Sequence, residues 1–155
     1  MTEVDPAYDR LGSRLVRIGS VPVEYDRMGS RPRRLGAREL EYDRMGSRLR
    51  AIGDQAIDYD RLGSRPRTLG AWPLDYDRLG SRLRRIGPYE LSYGMLGNRL
   101  QALGPMRIHH DRLGSRPRRV ELPDGKELSD ELVLALFFAL DQIRRTEEQA
   151  RTSRS

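Results

Sequence analysis

The sequence predicts a mainly β chain, in which tandem antiparallel hairpins form an extended, twisted or curled sheet capped by one C-terminal α-helix. Three observations carry this reading. A unit of 17 residues recurs seven times, starting at Tyr8, Tyr25, Tyr42, Tyr59, Tyr76, Tyr93 and His110. Within each unit, apolar and polar residues alternate on both sides of a Gly-Ser or Gly-Asn turn. After the last unit the alternation gives way to a continuous apolar run from Leu132 to Leu140. A period this regular means that one small unit, unable to bury its apolar surface alone, stacks on copies of itself. The expected organisation is a lead at 1–7, repeats at 8–121, a turn or final hairpin at 122–128, a cap helix at 129–148 and a frayed tail at 149–155.

The copy starting at Tyr42 shows the hairpin logic. Leu40-Glu41-Tyr42-Asp43 alternates, Arg44-Met45-Gly46-Ser47 turns, and Arg48-Leu49-Arg50 alternates again. Gly in the third loop position fits a four-residue loop built on a type I turn. That register sets Asp43 against Arg48, Tyr42 against Leu49 and Glu41 against Arg50. The last pairing recurs as Glu24 with Arg33, Asp58 with Arg67 and Asp75 with Arg84, and both members change together at Ala7/Val16 and Ser92/Gln101, with His109/Arg118 the one exception. Cross-strand neighbours are expected to vary in this way. Tyr42, Leu40 and Leu49 then share one face, and the charged residues share the other. Ile52 falls on the wrong face unless a bulge or the strand end near Gly53 restores it.

A β-solenoid with one coil per repeat is the alternative. It would stack like-charged Arg columns at about 4.8 Å, and Pro32, Pro66 and Pro117 fit poorly inside a parallel ladder. In hairpins, these prolines would weaken alternate junctions, where the sheet would bend or split. The Tyr-Asp-x-x-Gly core resembles the YD repeats of bacterial RHS-type proteins. That resemblance implies hairpins in long curved sheets that act as shells around cargo, although the period here is shorter.

Beyond residue 121, Pro123-Asp124-Gly125 signals a turn. Ser129 is placed to cap a helix, with Asp130 and Glu131 at its positive end and Arg144 and Arg145 toward its negative end. The first half of this helix is apolar on all sides, so it needs more than one surface to bury against. One face would cap the array. Another would serve self-association or docking of a partner protein through Leu132, Val133, Leu136, Phe137, Phe138 and Leu140.

Composition narrows the function. The hydrophobic share of 37% and charged share of 34% suit a thin layer. Without Cys, disulfides and thiolate metal sites are excluded. The apolar run is too short to span a bilayer, and a bacterial cytoplasmic protein is the expectation. The net charge of +6 comes almost wholly from arginine, since Lys126 is the only lysine among 29 basic residues. His109-His110-Asp111 lacks a third ligand on one face, and no His recurs beside the turn serines to activate them. No cofactor or metal is implied. The expected function is a non-enzymatic structural or protein-interaction scaffold. A second reading is nucleic-acid or polyanion binding through a turn-edge row of Arg10, Arg27, Arg44, Arg61, Arg78 and Arg112. A third is a precursor cut into repeat peptides.

Overall fold

The computed structural model describes residues 2–3 (backbone), 5–8, 14–26, 31–43, 48–60, 65–77, 82–94, 99–110 and 117–154, with helix side chains as far as residue 146. The described residues are mainly β, with antiparallel strand pairing and a single C-terminal helix. They fall into two compact units, Asp5–Leu74 on one hand and Met1–Val4 with Asp75–Ser155 on the other. β1 (Thr2–Glu3) belongs to the latter.

In Asp5–Leu74 the strands lie in chain order: β2 (Pro6–Tyr8), β3 (Leu15–Ile18), β4 (Val21–Tyr25), β5 (Pro32–Leu35), β6 (Arg38–Tyr42), β7 (Leu49–Ile52), β8 (Gln55–Tyr59) and β9 (Pro66–Leu69). β10 (Trp72–Tyr76) begins here, with Trp72 opposite Leu69. Each repeat therefore supplies two strands, and antiparallel pairing throughout excludes the solenoid.

The register beside the long loop is as expected, but one residue further on it changes. Tyr42 pairs with Leu49, and the Asp43 N–H donates to the Arg48 carbonyl at 2.9 Å. The register then shifts, so that Glu41 faces Ala51 and Leu40 faces Ile52. Arg50 is the extra residue of a β-bulge. The expected pairing of Glu41 with Arg50 is corrected accordingly, as are its counterparts at β4/β5, where Glu24 faces Arg34, and at β8/β9, where Asp58 faces Thr68. The bulge also explains how Leu49 and Ile52, an odd number of positions apart, are both buried on one face. The junctions that follow Pro32 and Pro66 keep the register of the one that follows Leu49, with Leu35 opposite Arg38 and Leu69 opposite Trp72 as Ile52 is opposite Gln55, so they do not split.

The second turn of each repeat has two residues. Ile52 pairs with Gln55 across Gly53-Asp54, and Gly53 has φ +62°. Non-glycine residues have no positive φ among those described. With a left-handed residue at the first loop position alone, the turn is type II′, whose twist matches that of the flanking strands. Inward side chains then recur: Ile18, Val23, Leu35, Leu40, Leu49, Ile52, Ile57 and Leu69 are at most 8% exposed. Each such side chain contributes about 1.5–3 kcal/mol on burial.

The second unit continues the pattern with β11 (Leu83–Ile86), β12 (Tyr89–Tyr93), β13 (Leu100–Leu103), β14 (Met106–His110) and β15 (Pro117–Leu122). Its outermost partner differs from expectation. Pro123-Asp124-Gly125 does turn, with Lys126 N–H donating to the Pro123 carbonyl at 3.1 Å, but no strand returns along β15. β1 pairs there instead, Thr2 with Leu122 and Glu3 with Glu121, and so occupies the edge a final hairpin would use.

The chain then enters α1 (Asp130–Arg154), which runs past the expected end near residue 148. Ser129 caps it, its Oγ accepting from the Leu132 N–H at 3.2 Å. Because the helix continues to Arg154, Arg144 and Arg145 do not sit at its end. Both donate to Asp141 at 2.9 Å, compensating a carboxylate that is only 5% exposed. No helix is long and apolar enough to cross a membrane among the described residues.

Candidate interaction surfaces

The repeated Tyr-Asp and Arg residues form a recurring joint at the long-loop edge, described at Tyr25, Tyr42, Tyr59 and Tyr93. The Tyr42 hydroxyl donates to the Pro32 carbonyl at 2.6 Å, reaching back into the preceding repeat. The same bond recurs from Tyr25 to Leu15 at 2.7 Å, from Tyr59 to Leu49 at 2.6 Å and from Tyr93 to Leu83 at 2.8 Å. Above each ring lies an arginine of the preceding repeat. Arg14, Arg31, Arg48 and Arg82 stand 4.8, 4.3, 4.5 and 4.7 Å from the centroids of Tyr25, Tyr42, Tyr59 and Tyr93. Each cation–π contact of this kind contributes about 0.5–1 kcal/mol.

The arginines also bind carboxylates of their own hairpins. Arg48 reaches Asp43 at 3.1 Å, Arg82 reaches Asp77 at 3.0 Å and Arg31 lies 3.5 Å from Asp26. These pairs are partly exposed, so each contributes only a few tenths of a kcal/mol up to about 1. Their geometry matters more than their strength, because one guanidinium holds its own hairpin and the tyrosine of the next. Burial pushes the Tyr93 phenol up to about 12, with Arg82 opposing and Asp77 reinforcing the shift. In the copy where Gly94 replaces Asp, its N–H still donates to the Arg99 carbonyl at 2.9 Å.

The Gly-first turns make a second row. A Cβ on Gly36 would lie 3.0 Å from Val21, on Gly53 3.1 Å from Arg38, and on Gly104 2.6 Å from the Tyr89 ring. Each glycine is thus covered by a side chain from the preceding repeat. Tyr89 also donates to Glu131 at 3.5 Å, linking this row to the first turn of α1. Burial raises its phenol pKa, and Glu131 adds to the shift.

The candidate interaction residues separate into three outcomes. Arg10, Arg27, Arg44, Arg61, Arg78 and Arg112 lie outside the described residues. On α1, Leu132, Val133, Leu136, Phe137 and Phe138 are at most 5% exposed within the single chain, and Leu140 is half-buried. Eight consecutive buried residues, 132–139, leave no side of this segment uncovered. His110 occupies the tyrosine place, opposite Pro117 as Tyr25 is opposite Pro32. Its neighbour His109 turns to Glu121 on β15, where Arg119 also donates at 3.3 Å. The bond from His109 holds the Glu121 carboxyl below its ordinary value; desolvation opposes this and Arg119 adds to it. No group of three metal-ligating side chains occurs among the described residues.

Sequence reasoning placed the strand charges on one outward face but missed that the bulges leave its acids and arginines unpaired. Glu24, Arg33, Glu41, Arg50, Asp58 and Arg67 are exposed on consecutive strands β4 to β9. Acid and arginine were expected to pair, but the bulge sets each acid opposite another residue. The odd spacing of Leu49 and Ile52 was the available signal. In comparisons with known proteins the chain matches no family model, no curated protein and no solved structure.

Proposed function

We propose that this chain is a non-enzymatic structural scaffold, a β-hairpin array whose C-terminal helix serves as its cap. The observation that supports this most directly is the use of the repeated polar groups. Tyrosine hydroxyls donate to backbone carbonyls, and the arginines beside them are divided between a ring and a carboxylate. Repetition of these residues therefore serves the joining of one hairpin to the next, as nearest-neighbour stability in a repeat array requires. Catalytic repetition would instead leave a nucleophile or base with an activating partner facing solvent. We assign α1 to capping rather than docking because its apolar turns are covered by the chain itself.

Limited trypsin digestion of the full chain tests this against the peptide-precursor reading. A scaffold keeps its repeat body intact over a time in which the urea-unfolded chain is fully cut. Release of single repeats from the native chain would overturn the proposal.

A further inference from the structure

We propose that the outward face of residues 5–74 is a self-association surface taken by a second copy of this chain. Along one line across the strands, charge alternates in sign: Glu24 on β4, Arg33 on β5, Glu41 on β6, Arg50 on β7, Asp58 on β8 and Arg67 on β9, all exposed. Adjacent strands lie about 4.8 Å apart. The side chains of Glu24, Arg33, Glu41, Arg50 and Arg67 make no hydrogen bond or ion pair with the described residues, and that of Asp58 accepts only from the Thr68 hydroxyl, at 3.3 Å. The bulges set Glu41 opposite Ala51 and Glu24 opposite Arg34, whose guanidinium is bonded to Glu39 instead. Beside the charged line runs a row of short side chains, Ala51, Ala56, Thr68 and Pro73, with Ala51 opposite Ala56 and Thr68 opposite Pro73. On β5 and β6 the same row carries Arg34 and Glu39, joined at 3.0 Å, so the low part of the surface is confined to β7 to β10.

Symmetry makes this arrangement complementary to itself. A two-fold axis parallel to the strands, passing between Glu41 and Arg50, sets each acid of this line in one copy against an arginine of the other. An extended polyanion would meet as many carboxylates as guanidinium groups on the same line. Six strands by two outward rows cover roughly 300–400 Å² per copy, below the area of a standard stable interface. The dimer is therefore weak, charge-dependent and salt-sensitive.

Sedimentation equilibrium of the full chain, with two charge-reversed variants, tests the proposal. One variant carries Arg33→Glu, Arg50→Glu and Arg67→Glu, and the other Glu24→Lys, Glu41→Lys and Asp58→Lys. The wild type is expected to dimerise at low salt, each variant alone to be monomeric, and an equimolar mixture to dimerise again. The wild-type dissociation constant should rise at least about tenfold between about 0.05 M and about 0.5 M salt. Dimerisation of either variant at wild-type strength, no recovery on mixing, or a salt-insensitive dimer would each overturn the proposal. So would a wild-type monomer that binds heparin at low salt. Should a variant fail to fold, the wild-type salt titration decides. A protease-resistant monomer would end this inference while leaving the scaffold reading standing.

Discussion

At the long-loop edge of each hairpin, side chains make the joints, whereas at the Gly-first edge the backbone does. The first edge repeats tyrosine, aspartate and arginine in nearly every copy, since ring, carboxylate and guanidinium must all be present to hold neighbouring repeats. The second requires only a residue that accepts a φ near +60°, and the side chain covering the glycine is Val21, Arg38, Gln55 or Tyr89. A backbone requirement fixes one residue and leaves its neighbours free; a side-chain joint fixes several. The two edges therefore differ in how they should fail.

The largest loss is expected at the backbone edge. Gly104→Ala forces a left-handed non-glycine conformation and sets a methyl 2.6 Å from the Tyr89 ring. A cost of about 2–4 kcal/mol in chemical denaturation is expected. Gly125→Ala, at φ +82° with no neighbour within 4 Å, isolates the strain, at about 1–2 kcal/mol. Equal losses at the two sites would mean that the covering side chain contributes nothing.

Tyr93→Phe tests the side-chain edge. It leaves the Leu83 carbonyl without its hydroxyl donor, at a cost of about 1–2 kcal/mol. It also removes a pH dependence. A phenol whose folded value is raised to about 12 from an ordinary 10.0 contributes stability that is fully present below pH 10.0 and lost as pH rises through about 12. Stability curves of wild type and variant should therefore converge over that window. Curves that stay parallel would show that Tyr93 ionises equally in both states.

The smallest effect should come from restoring a missing part. Gly94→Asp returns the carboxylate to the copy that lacks it, opposite Arg99, and Gly94 is not among the glycines of positive φ. A gain of about 0.5 kcal/mol is expected from the ion pair and reduced chain entropy, limited by Gln101 at 3.2 Å from the new Cβ. A loss of more than about 1 kcal/mol would show that this joint depends on glycine.

Much of this arrangement was legible in the sequence because it is local. Asp43 with Arg48 and Tyr42 with Leu49 follow from loop length, and the Ser129 cap follows from its place before an apolar run. The bulge was legible only as one of two ways of returning Ile52 to the apolar face, because Glu41 and Arg50 vary together as neighbours on one face whether or not they are paired, so co-variation alone cannot fix their register. The Gly-first turn was present in sequence as Gly19, Gly36, Gly53, Gly70, Gly87 and Gly104, all with positive φ, but the more conspicuous Gly-Ser loop drew the turn assignment. The pairing of Thr2 and Glu3 with β15 had no legible signal. A two-residue strand has too few side chains for alternation to register, and its partner is more than a hundred residues away.

The bulge also gives the odd repeat length a meaning. Two antiparallel strands with alternating faces would return to the same face one residue sooner than Tyr42 returns at Tyr59, and Arg50 is the residue that makes up the difference. Because a bulge bends its strand and adds local twist, each copy of the unit carries that local distortion with its two strands.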